Sequence, residues 1–348
     1  MKTFLIILII IHFNTDKVIC QWTKVQTGLT GENVISLAIK SNGDIYAGTN
    51  TNGAYRSTDN GNSWVLTLGI LNNVYQVFSL ASDIAGYVYA GTYSVGLLRS
   101  TNDGGSWSNV TNGLPQNDVR VIAISPTGTF FASDYGSIYR SSDNGISWGL
   151  VRNSSGGSSG GFQTITFGSS RVYAGGSNDW LYYSTNDGIN WTYVGSSSGL
   201  SHPPMTLAVN SSGYVFAGTS GWGVYRSTNL GVNWTQVNTN LGNLNINTIA
   251  INSSDVIYVG TTGGVYVSTD NGSNWVSNNS GLTNTNIRSI AFDYLGNVYV
   301  GAYTAGDDGG LWKSIALLPV ELTSFTACVI GNAVKLSWET ETEVNNYG

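Results

Sequence analysis

Few residues of this 348-residue chain could do chemistry, and they are aspartates, arginines and aromatics. Hydrolysis of a glycosidic bond needs two carboxyl groups flanking it. Asp134, Asp179 and Asp307 are the candidates, Asp134 and Asp179 standing in comparable segments of adjacent repeats. The alternative makes them turn residues facing water. Arg120 and Arg288 each stand second in a strand-like segment, a position held elsewhere by Gln163 and Asn247. Together they could hold an anionic group, or pair with nearby aspartates. Tyr93, Tyr135, Trp180, Trp222 and Tyr303 lie between strand-like segments. Flat rings beside polar neighbours such as Asn178, Thr219 and Ser220 could stack on sugar faces or on a partner's apolar surface; the plainer reading packs them against neighbouring loops. His202 is the sole histidine outside the first twenty residues, so no histidine-based triad or zinc set can be assembled. No metal or cofactor is expected. "NSSGGSSGG" (153–161) reads as a flexible loop, since neither a lysine nor a helix follows to cradle phosphate.

The elements that must position these residues are strands. Gly, Ser, Thr and Asn dominate, charged residues make up only 10% and aromatics reach 12%, which favours short strands and tight turns in an all-β chain. Net charge is −6 with scattered Lys and Arg, so no basic stripe exists to displace counterions, and nucleic acid is excluded as a partner.

One octapeptide organises the chain. "STDNGNSW" (57–64) recurs as "STNDGGSW", "SSDNGISW", "STNDGINW", "STNLGVNW" and "STDNGSNW", and Trp64, Trp107, Trp148, Trp191, Trp234 and Trp275 fall 41 or 43 residues apart. That period is the length of a propeller blade. Each period holds four strand-sized pieces, such as "VISLAI" (34–39), "DIYAGT" (44–49), "AYRS" (54–57) and a fourth opened by the tryptophan. The first three occur seven times and the fourth only six; "QWTKVQTGL" (21–29), with Trp22 lying 42 residues before Trp64, supplies the seventh. The spacing therefore predicts a seven-bladed β-propeller closed by its N-terminal strand, which leaves no open seam. Within each octapeptide the third residue (Asp59, Asn102, Asp143, Asn186, Asn229, Asp270) can accept backbone N–H bonds in the turn, and the glycine suits positive φ. Six near-copies imply a staple, since six equal catalytic or calcium sites would otherwise follow.

The octapeptides match S-x-D-x-G-x-x-W, and over residues 21–315 the chain resembles the Asp-box (BNR) repeat family, which includes sialidases, xyloglucanase-type hydrolases, sortilin-like receptors and photosystem assembly factors. The resemblance implies that the boxes occupy one face, and that loops joining second to third and fourth to first strands form a ligand face opposite. Sialidase signatures are missing: there is no F-R-I-P segment, and Arg56, Arg99, Arg140 and Arg226 all fall at one repeat position before the box serine, marking them as structural.

At the N-terminus Met1, Lys2 and an apolar run from Phe4 to Ile11 read as a secretory signal peptide of residues 1–20, cleaved after Cys20. An acylated Cys20 is the rival, but Lys17 stands where a lipobox requires an aliphatic residue. The apolar run is too short to span a bilayer. Loss of Cys20 would leave Cys328 alone, without an intramolecular disulfide. The propeller is expected over 21–316. Residues 317–348, "LPVELTSF" onward, resemble the linker and first hairpin of an immunoglobulin- or fibronectin-like sandwich in type IX secretion substrates, here truncated. The expectation for function is a secreted or bacterial surface protein, monomeric and non-catalytic, serving as a binding or scaffold module for a glycan or protein partner. The alternatives are a glycoside hydrolase of the xyloglucanase or sialidase type and a complex assembly factor.

Overall fold

The computed structural model describes residues 21–29, 31–69, 76–114, 118–134, 136–153, 161–177, 180–306, 309–314, 322–330 and 333–340. Each repeat folds into a four-stranded antiparallel sheet, because its apolar residues alternate at the two-residue period of strands and its turns carry Gly and Asn. Blade 1 runs Val34–Ile39, Ile45–Thr49, Ala54–Ser57 and Val65–Leu68. Blades 2 to 6 begin at Val77, Val121, Phe162, Pro204 and Ile246. Blade 7 takes Ile287–Phe292, Val298–Ala302 and Leu311–Ser314 from the end of the repeat array and its fourth strand, Thr23–Lys24, from the beginning.

That closure by the N-terminal strand is the expected one. Thr23 lies opposite Lys313 and Lys24 opposite Trp312. Trp22 is buried and donates its Nε1 to the Asn278 carbonyl at 2.8 Å. The first strand of every blade touches that of the next, and Ile287–Phe292 returns to Val34–Ile39, so the ring is complete.

Packing is concentrated at the seams. Seven apolar clusters occupy the seven interfaces between neighbouring blades. The second strands, such as Ile45–Thr49 and Val215–Thr219, are buried throughout, as expected of strands covered on both faces. Their glycines allow close approach of the next blade: a Cβ on Gly218 would lie 2.5 Å from Ile246 Cγ2, and one on Gly260 2.6 Å from Ile287 Cγ2.

A separate compact unit contains the antiparallel hairpin Leu322–Ile330 and Ala333–Thr340, with Phe325 opposite Trp338 and Ala327 opposite Leu336. Its assignment to an immunoglobulin-like sandwich rests on the sequence alone. The expected signal peptide lies outside the described residues. Among the described residues no helix is long and apolar enough to cross a membrane.

Candidate functional site

The boxes are one turn built six times. In each, the first serine donates its Oγ to the third residue's Oδ1 (2.6–3.1 Å) and accepts the glycine N–H (2.8–3.0 Å). The seventh residue's N–H reaches the same Oδ1 at 2.8–2.9 Å. The fourth residue is left-handed as well as the glycine, with φ between 55° and 59° at Asn60, Asp103, Asn144, Asp187, Leu230 and Asn271. Hydrogen bonds from Ser141 and Ser147 pull the Asp143 carboxyl down to about 2, and bonds from Ser63 lower that of Asp59.

The box also locks its blade to the preceding one. Trp64 packs against Tyr299 and Leu311 of blade 7, and Trp234 against Tyr173 and Leu181 of blade 4. The Nε1 of Trp107, Trp148 and Trp275 reaches carbonyls of the preceding blade, at Thr67, Val110 and Val237. Third-strand cations reach the fourth box residue of the next blade: Arg140 bonds the Asp187 carbonyl and carboxylate, and Arg226 bonds the Asn271 carbonyl. These groups are occupied in the scaffold.

Loops sort onto two faces. Box turns meet the loops joining first and second strands, as in the Lys40–Asp103 pair and the Asn210–Asn271 bond. Second-to-third and interblade loops meet on the other side: Gln76 bonds Asn50, the Ser94 N–H bonds Asp118, and Asn33 exchanges two bonds with the Thr304 backbone.

On this second face the carboxylates are engaged. Asp134 Oδ1 accepts N–H bonds from Gly136 and Ser137 at 2.8 and 2.6 Å, while Oδ2 accepts Tyr139 Oη at 3.2 Å. Burial and the neighbouring Asp134 charge raise the Tyr139 phenol. Glu32, 4% exposed, accepts from Thr51, Asn52 and Tyr55. Burial and that carboxylate push the Tyr55 phenol up to about 12. Asp179, Asp307 and Tyr135 lie outside the described residues. Of Trp180 only the backbone is described, opening a third strand opposite Gly176.

The remaining sequence candidates form three groups, none of them a carboxylate pair. In the first, Arg120 lies 4.7 Å from the Phe78 ring, which meets the half-exposed Tyr93 edge-on at 6.3 Å. In the second, exposed Arg288 lies 5.3 Å from the Tyr303 ring. In the third, Trp222, 51% exposed, stacks on His202 at 3.9 Å and 13°. His202 Nδ1 in turn lies 3.0 Å from Ser201 Oγ and 3.2 Å from Tyr225 Oη.

A shared backbone device supports the first two. In six blades the register shifts between the first and third residues of the inner strand, leaving the second as a bulge: Ile35, Phe78, Gln163, Met205, Asn247 and Arg288. Arg120 stands just before its strand, its N–H bonded to Ser133 O. Bulges re-aim side chains out of the ladder, which turns this position into a ring of variable residues on an invariant scaffold. Phe78 and His202 are the members that sequence reasoning missed. Phe78 shares its strand position with Arg120 and Arg288, a signal that was available; the His202–Trp222 stack joins two loops and had none.

The sequence model of one family, the photosynthesis system II assembly factor YCF48, matches residues 71–315. No curated protein matches the chain. Among solved structures, the extracellular domain of the two component system BT4673 from B. thetaiotaomicron superposes with a TM-score of 0.70 at 19% identity over 87% of this chain, which spans only 40% of that one. YCF48 from Cyanidioschyzon merolae gives 0.64 at 15% identity, covering 85% of this chain and 98% of its own. A YCF48 bound to D1 peptide gives 0.64 at 16% identity, with 85% and 97% covered. The GH74 xyloglucanase from Xanthomonas campestris gives 0.64 at 18% identity, with 92% and 59% covered. At these identities the likenesses speak to the fold.

Proposed function

The chain belongs to the photosynthesis system II assembly factor YCF48 family, and from that premise we propose that it is a non-catalytic binding module which takes an extended ligand across the loop face opposite the boxes. One observation carries the reading. On that face the described carboxylates are engaged by protein donors, Asp134 by its own turn, Glu32 by Thr51, Asn52 and Tyr55, and Asp118 by the Ser94 N–H, while aromatic rings and a cation remain exposed at Tyr93, Trp222 and Arg288. Such a surface binds by stacking and by charge, and its described residues offer no acid–base pair. A protein segment is the favoured ligand, supported by the YCF48 relative that holds a peptide; a glycan is the second.

The same reading puts the protein outside the cell or at a bacterial surface, as a monomer. The leader-like residues 1–20 support it, and an extracellular relative is compatible with it. Type IX export and a sandwich beginning within 317–348 extend the proposal, on the "LPVELTSF" resemblance.

Retention on immobilised peptide and polysaccharide panels tests the function, together with an assay for released sugar. Trp222→Ala and Arg288→Ala should each weaken retention roughly tenfold, a loss of about 1.4 kcal/mol, with no turnover by the wild type. Sugar release abolished by Asp134→Asn would replace this reading with the hydrolase one. Retention indifferent to both loop-face variants would remove it.

A further inference from the structure

A second site lies on the box face, between blades 3 and 4, and its cause is a loop length. Five residues join first and second strands in six blades, such as Ser125–Thr129 and Asn210–Tyr214; blade 4 has four, Gly168–Arg171. In five of the other blades the first loop residue closes the loop with its side chain: Asp83, Asn210 and Asp293, for example, each accept an N–H from the loop's far end at 2.8 Å. Gly168 has no side chain to do so. The shortened loop borders a cavity of about 310 Å³, lined by Ser125, Thr127, Phe167, Ser170, Arg171 and Asp187 among others.

The walls have a mixed chemistry. Arg171 is held 4.0 Å from the Tyr183 ring and donates one N–H to the Leu230 carbonyl at 2.6 Å. That uses one of its five donors. Asp187 Oδ2 is taken by Arg140 and Thr129, both at 2.6 Å. The Ser169 and Ser170 side chains are exposed and can both donate and accept. Phe167, half-buried, adds an apolar surface. Arg140 already neutralises Asp187, and the Arg171 guanidinium is turned to Tyr183 and Leu230 at the blade 4–5 seam, so the cavity lacks the net positive site that a phosphate or carboxylate needs. Serine and threonine hydroxyls, the Asp187 carboxylate as acceptor and an apolar wall suit a neutral polyhydroxylated ring with one C–H face.

We propose that this cavity binds a neutral sugar ring, independently of the loop-face ligand. The test is saturation-transfer NMR with titration calorimetry on the full chain against neutral mono- and disaccharides, uronic acids and free amino acids. A neutral sugar should bind, and Ser170→Trp, which fills the cavity from an exposed position, should weaken it at least roughly tenfold without moving the thermal midpoint. Trp222→Ala should leave it unchanged. The proposal is overturned if no neutral sugar binds, if only uronic or amino acids bind, if Ser170→Trp has no effect, or if Trp222→Ala abolishes binding and so moves the sugar to the loop face.

Discussion

Asp59 and Asp143 show what a box residue contributes. Their folded carboxyls sit below the ordinary value, so the stabilisation is complete above the unfolded value near 3.9 and is lost as pH falls, through about 2 for Asp143. Asn102, Asn186 and Asn229 make the same backbone bonds without a titrating group. Asn102 even reverses the last bond, its Nδ2 donating to Ser106 Oγ where Asp59 accepts from Ser63. Asp59→Asn/Asp143→Asn should therefore flatten the fall in urea midpoint between pH 4 and 2, and leave the pH 7 value nearly unchanged. Leu230 is the discordant residue, an aliphatic side chain at φ 58° where the other boxes carry Asn or Asp. Leu230→Asn should raise stability by about 1 kcal/mol, read as a higher urea midpoint at constant slope.

At the scale of the turn and its strands, sequence pattern located every box but not what each box touches. Tryptophan spacing fixes a place in the repeat; it does not say that Trp64 packs backward onto Tyr299 and Leu311 of the preceding blade. The glycine role was half legible for the same reason. Positive φ follows from the turn, whereas a ring from the preceding blade against it does not: a Cβ on Gly188 would sit 2.2 Å from Phe131 Cε1. Gly188→Ala should thus cost about 2–4 kcal/mol, from backbone strain plus overpacking. Gly128, also left-handed at φ 84° but with nothing within 4 Å of its Cβ, isolates the backbone part, and Gly128→Ala should cost only about 1 kcal/mol. Chemical denaturation of the two variants checks the difference. Among site residues, Arg120, Arg288, Tyr93, Trp222 and Tyr303 could be named from repeat position. Their grouping with Phe78 and His202 depends on a register shift and a loop–loop contact, neither of which leaves a periodic trace.

At the scale of the whole molecule, the N-terminal segment closes the ring of blades. Trp22 completes the blade 6–7 seam, and Thr23–Lys24 covers the outer edge of blade 7. Trp22→Ala should cost about 3–5 kcal/mol and speed amide exchange at Val25, whose N–H is bonded to Leu311 O, before the other seams open. With the ring shut, box turns can stay nearly identical while the opposite loops vary, and the proposed peptide recognition falls on the variable side. Amide hydrogen exchange of the protein with and without the peptide best retained on the panels reads this directly. Slowed exchange is expected at 93–96, 201–202, 220–223 and 303–306, with box segments such as 57–64 and 227–234 unchanged; slowing confined to the boxes would contradict it.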